Sequence, residues 1–192
     1  YMGFYYSLND SLERANYCLK EAQRTAKVQK DTATLCLAMT RYSWVVRKTH
    51  PEAGLEYAKR VLGLYEKYSK RNVFNIVYNT LMVCECENFC GNPRRAFSLA
   101  QQAEKNALAL GDSTVISDVY QDMAYFAVSL GDKRSTHFAL LSCRYSDTRF
   151  VSKRLMLAKA YEKTGNYHEC INLLDTLRLE NNGQRYEAFA MR

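Results

Sequence analysis

A glycine followed at once by asparagine or aspartate occurs at Gly91-Asn92, Gly111-Asp112, Gly131-Asp132 and Gly165-Asn166. Each pair closes one stretch of helically spaced apolar residues and precedes another. Glycine accepts the left-handed backbone needed just past a helix C-terminus, and a short polar side chain behind it can cap the next helix. The dipeptides therefore predict short-looped antiparallel helices in series. Such a series, when self-similar, stacks into a solenoid, an architecture whose usual work is to hold another molecule.

From that punctuation the first helix is expected over Asp10 to Val28, capped by Asn9 or Asp10. The next begins at Asp31, where Leu35, Met39, Tyr42, Val45 and Val46 recur at three- and four-residue steps, giving one buried stripe as far as the break at Pro51. Pro51 and Pro93 each read as a first helical position, where the missing N–H costs nothing. The remaining helices are predicted over Asn72 to Cys90, Pro93 to Leu110, Thr114 to Leu130, Lys133 to Tyr145, Thr148 to Thr164 and Tyr167 to Leu179, with another from Gln184 onward.

Composition narrows the class. The 192 residues include only two prolines and no Ser/Gly-rich linker, so a continuous stack without separate domains is expected. The longest charge-free run, Asn72 to Cys84, is 13 residues, short of the roughly 20 that a spanning helix needs. Tyr1 and the helix beginning at Gln184 give the expectation of a piece of a longer protein. The net charge of +7 gathers between Arg41 and Arg71 and between Lys133 and Lys163, but Glu52, Glu56, Glu66, Asp147 and Glu162 interleave with it. That mixture reads as a solvated helix surface and argues against nucleic acid as the partner.

The seven cysteines are an odd number with no recurrent spacing, so a disulfide scaffold is not expected, and unpaired thiols favour the cytoplasm. Cys86 and Cys90 share a helix face, but Cys84 points about 200° away from Cys86 and no histidine follows at ligand spacing, so no metal site is expected. His50, His137 and His168 read as surface or capping residues. No phosphate loop, zinc pair, nucleophile elbow or paired Cys-x-x-Cys occurs. No cofactor and no catalysis are expected.

Aligning the pairs on their turns gives the unit Leu157-Ala158, Tyr161, Gly165, Tyr167, Cys170-Ile171, Leu174, Leu177. Looser copies are Met123-Ala124, Ala127, Gly131, Thr136, Leu140, Cys143, and Val83-Cys84, Gly91, Ala96-Phe97, Ala100, Ala103. The most degenerate copy is Arg41-Tyr42, Thr49, Gly54-Leu55, Ala58, Val61; Ser11-Leu12, Ala15, Cys18 make half a unit. This pattern resembles the tetratricopeptide repeat, in which small residues let paired helices approach and large ones fill the gaps. Spacings between Ser11, Gly54, Ala96, Thr136 and Cys170 are 43, 42, 40 and 34. Only the last equals the family's standard length, so the others resemble the long-helix variants of bacterial regulatory proteins. The resemblance implies an all-α, right-handed solenoid of antiparallel helix pairs, about nine or ten helices in all. A half repeat over 1–30 would precede repeats over 31–71, 72–112, 113–147 and 148–182 and the start of a helix over 184–192.

The resemblance also assigns exposure to a stripe on the first helix of each pair. Here it reads Met39, Ser43 and Val46; Tyr78, Leu81, Glu85 and Phe89; Asp118, Gln121, Tyr125 and Val128; Ser152, Leu155, Lys159 and Glu162. Aromatic anchors among scattered polar groups suit a protein or peptide partner, and the same residues would otherwise pack internally. The family's carboxylate-clamping Lys and Asn positions hold Met39, Ser43, Leu81 and Glu85 here, and Glu85 is expected to repel a carboxylate. A binding module serving as scaffold or sensor of a regulatory protein is the expectation. The alternative is nucleic-acid binding through Lys59, Arg60, Lys67, Lys70 and Arg71 with Tyr65 and Tyr68. Phe189 and Ala190 leave self-association open.

Overall fold

The structure is a computed structural model; it describes residues 12–69, 72–146 and 151–177, together with 188, 190 and 191. The described residues form helices α1 (Leu12–Val28), α2 (Thr32–Val46), α3 (Pro51–Tyr68), α4 (Val73–Phe89), α5 (Pro93–Leu110), α6 (Ser113–Ser129), α7 (Ser135–Tyr145), α8 (Val151–Lys163) and α9 (Tyr167–Asp175), and no strand. The chain divides into two compact units, Tyr1–Ala96 and Phe97–Arg192.

Gly91, Gly111, Gly131 and Gly165 all adopt positive φ, between 65° and 82°, so each helix before them ends as the dipeptides predict. After α4 the Gly91 N–H reaches the Asn88 carbonyl and the Asn92 N–H the Glu87 carbonyl, the paired bonds that satisfy a helix's last acceptors. Asp112 starts α6 by accepting from the Thr114 and Val115 amides at 2.8 and 3.1 Å. Asp31 and Asn72 do the same for α2 and α4. Pro51 opens α3 at its first position. The turn between α1 and α2 has no glycine; Lys30 holds the left-handed conformation there at φ 55°. The proposed caps Asn9 and Asp10, the start at Thr148, and most of the stretch from Gln184 lie outside the described residues.

In the first unit, α1 packs on α2 through Ala15, Leu19, Val45 and Val46. On its other flank α2 meets α3 through Cys36, Met39 and Val61. A close approach is made at Gly54, whose carbonyl accepts from Ser43 Oγ at 2.7 Å while Cys86 Sγ of α4 lies 3.5 Å from the same hydroxyl. Three helices meet there because one position has no side chain and the others are small. In the second unit, Ser117 and Ser142 exchange hydroxyl-to-carbonyl bonds of 2.7 and 2.8 Å, joining α6 to α7. Ala124, Ala127 and Ala139 are fully buried in the same unit. Leu155 and Ala158 of α8 pack with Cys170 and Leu174 of α9 and with Ala188. Gly54, Ala158 and Cys170, small residues of the repeat alignment, lie where helices touch.

Candidate partner-binding site

In the second unit, α6 and α8 are adjacent first helices of successive pairs. The expected stripe on α6 is half-buried: Asp118, Gln121, Tyr125 and Val128 recur at three- and four-residue steps along one face. On α8, Ser152 is exposed, Lys159 and Glu162 are half-buried, and Leu155 is core. Two members of the stripe come together where the Lys159 ammonium lies 5.8 Å from the centre of the Tyr125 ring, an attractive cation–aromatic pairing.

Asp118, Gln121 and Ser152 are also brought together, around a cavity of about 340 Å³. The residue that organises it is Lys153, which sequence reasoning missed. It is 5% exposed. Its Nζ donates to Asp118 Oδ1 at 2.5 Å and to Ser117 Oγ at 2.6 Å, and Ser117 in turn donates to the Ser142 carbonyl. A buried cation is tolerated only when paired and hydrogen-bonded, and this network supplies both across three helices.

In the first unit the corresponding helices are α2 and α4. Tyr78, Glu85 and Phe89 are half-buried, as an exposed stripe requires, while Met39, Ser43, Val46 and Leu81 are buried. Met39 packs in the α2–α3 core and Ser43 is committed to Gly54, so neither presents a contact surface. The open line of α2 is Leu37, Arg41 and Trp44, displaced from the expected one by one to two residues. Phe74 adds to the α4 face, its ring centre 4.7 Å from that of Tyr78. Glu85 is paired with a cation from the neighbouring repeat: Arg47 Nε lies 2.5 Å from its Oε2. The same guanidinium sits 4.5 Å from the Trp44 ring centre and donates to the Trp44 carbonyl. A motif scan within one helix could not find this pair, whose members belong to different repeats.

Of the basic residues in the alternative reading, Lys59 is drawn to Glu87, which is 1% exposed; Lys59 Nζ and Arg95 Nε lie 2.9 and 3.2 Å from Glu87 Oε1. The Lys67 ammonium stands 5.0 Å from the Tyr68 ring centre, and Arg60 is exposed. Tyr65 and Tyr68 line a hollow of about 660 Å³ with Leu35, Cys36 and Leu64. Lys70, Arg71 and Phe189 lie outside the described residues, and Ala190 is exposed.

All seven cysteines are free thiols. Burial pushes the Cys86 thiol up to about 11, an effect partly offset by its contact with Ser43, so it is inert at neutral pH. Among the described residues no three His, Cys, Asp or Glu side chains gather as metal ligands would, and no helix is long and apolar enough to cross a membrane.

No protein-family model and no curated protein matches the sequence. Solved structures do match in fold. A Rap protein complexed with Competence and Sporulation Factor superposes with a TM-score of 0.79 at 17% identity, over 97% of this chain and 53% of that one. A Podosopora anserina putative kinesin light chain with nearly identical TPR-like repeats gives 0.70 at 12% identity over 98% and 90% of the two chains. The apo form of RapI gives 0.68 at 13% identity over 98% and 52%. The chain thus spans about half the length of the Rap structures it matches. It has the tetratricopeptide-like fold, an all-α helical-repeat solenoid.

Proposed function

We propose that this chain is a non-enzymatic binding module that holds an extended protein or peptide segment against the exposed faces of its lining helices, within a regulatory protein. The observation that carries the reading is the α6–α8 face. There Tyr125 is paired with Lys159, and Asp118, Gln121 and Ser152 surround a cavity whose floor contains a buried lysine. Aromatic side chains held by neighbours lose little freedom on binding, and polar groups beside them fix orientation. A similar face on α2 and α4 presents Leu37, Trp44, Phe74, Tyr78 and Phe89. That a Rap protein of the same fold forms a complex with Competence and Sporulation Factor supports a binding role. The free thiols fit the cytoplasm.

The test is selection of binders from a random peptide display library, with generic oligonucleotides titrated in parallel at low and physiological salt. The reading predicts selected peptides whose affinity changes little with salt. Oligonucleotide affinity that falls steeply with salt, with no peptide selected, would replace it by the nucleic-acid alternative.

A further inference from the structure

The ammonium of Lys153 carries three protons. Among the described residues Ser117 Oγ and Asp118 Oδ1 take two of them, at 2.6 and 2.5 Å. The side chain lines the cavity between α6 and α8 and is 5% exposed, so the cavity is where a third acceptor must stand.

The cavity also has a charge signature. Among the described residues the Lys153 ammonium and the Asp118 carboxylate pair with one another, and the other walls are uncharged: the hydroxyls of Thr114 and Ser152 and the carboxamide of Gln121 take part. A carboxylate drawn to the ammonium meets Asp118 beside it, and a cation drawn to Asp118 meets Lys153. A neutral group with both a carbonyl and an N–H suffers neither repulsion, and hydroxyl and carboxamide walls can donate or accept to match it. At about 340 Å³ the space suits one or two peptide units.

We propose that this cavity is a subsite for an uncharged amide, a peptide bond or side-chain carboxamide of the bound segment, whose carbonyl oxygen accepts the remaining Lys153 proton. The proposal rests on the reading of the α6–α8 face as a binding surface. It adds that the face reads main-chain or carboxamide groups at this point and excludes a chain terminus.

The whole chain, labelled with ¹⁵N, is titrated with three compounds sharing one body: N-acetylglycine N-methylamide, N-acetylglycine and glycine N-methylamide. The Lys153 ammonium resonance is followed. The neutral compound is expected to shift it saturably and to bind at least about tenfold more tightly than either charged analogue. Lys153→Met is expected to abolish the preference. Ser152→Ala, an exposed change that leaves the buried pair intact, should weaken the neutral compound about threefold to tenfold, the loss of one hydrogen bond. Equal or tighter binding by the carboxylate or the amine overturns the proposal, as does a neutral compound that leaves the Lys153 resonance unmoved. If library-selected peptides still depend on Tyr125 while Lys153 is silent to all three compounds, the subsite is wrong and the binding module stands.

Discussion

Lys153 of α8 and Asp118 of α6 form a partly buried ion pair of 2.5 Å between helices of successive repeats. Asp118 is about a third exposed and Lys153 hardly at all, so removing either charge has unequal consequences. Asp118→Ala leaves the ammonium buried without its counter-charge and should destabilise by about 2–4 kcal/mol. Lys153→Met leaves a carboxylate that water can still reach and should cost less. The double variant should cost less than the sum of the two, and urea unfolding of all three measures the coupling. Additivity would mean that the pair contributes nothing as a pair.

Gly54 and Gly63 both lie within α3, yet they should respond to alanine in opposite directions. A Cβ on Gly54 would stand 3.2 Å from the Arg47 Cα and 3.3 Å from both the Ser43 carbonyl and the Cys86 sulfur. Two of those neighbours are backbone, so α2 and α3 must separate; the crowding exceeds the gain in helix propensity and Gly54→Ala should lose about 1–2 kcal/mol. Nothing lies within 4 Å of a Cβ on Gly63, and Gly63→Ala should gain about 0.5–1 kcal/mol. Thermal unfolding of the two variants checks both signs.

Stability should fall at alkaline pH in two overlapping steps. Burial raises the Cys86 thiol to about 11 from 9.0, and burial followed by a hydrogen bond with Glu104 raises the Tyr120 hydroxyl to about 12 from 10.0. The unfolded chain therefore loses each proton first. The stabilisation is complete below pH 9 for Cys86 and below pH 10 for Tyr120, and is lost as pH rises through the folded values. Cys86→Ala should remove the lower step and Tyr120→Phe the upper one, whatever each costs at neutral pH. Urea midpoints measured across this range test the assignment; parallel curves for wild type and variants would refute it.

Lys30 is a left-handed residue where the other described inter-helix turns with this backbone use glycine. That conformation costs an L-residue about 1–2 kcal/mol, against the smaller entropic cost of glycine. Lys30→Gly is expected to raise stability by up to about 1 kcal/mol, visible as a higher unfolding midpoint. A lower midpoint would show that the lysine stem makes compensating contacts.

Helix order and turn positions were legible because they are local. Gly91-Asn92 and its three counterparts state the end of one helix and the start of the next within two residues, and Pro51 marks a first turn without reference to anything distant. On α4, α6 and α8 the stripe that the family resemblance implies is partly open at Tyr78, Glu85, Phe89, Asp118, Gln121, Tyr125 and Lys159 and fully open at Ser152, while Leu81 and Leu155 are buried. On α2 the stripe members Met39, Ser43 and Val46 are buried; Met39 and Val46 also belong to the apolar three- and four-residue period of that helix, which marks its packed face. Arg47–Glu85 and Lys153–Asp118 were illegible for another reason. They join residues 38 and 35 apart, on neighbouring repeats, where no helical period relates them. The burial of Glu87, likewise, depends on Lys59 and Arg95 from the helices on either side.

Tyr125 and Ala124, adjacent on α6, separate the surface proposed for binding from the surface used for packing. The most direct test measures Tyr125→Ala and Ala124→Leu together, recording the unfolding midpoint and the affinity for one library-selected peptide. Tyr125→Ala should unfold within about 1 kcal/mol of wild type and weaken the peptide at least about tenfold, as expected of an interface anchor. Ala124→Leu should lower stability by about 1–3 kcal/mol through overpacking. A Tyr125→Ala protein that binds the peptide undiminished, or that unfolds as readily as Ala124→Leu, would contradict the account.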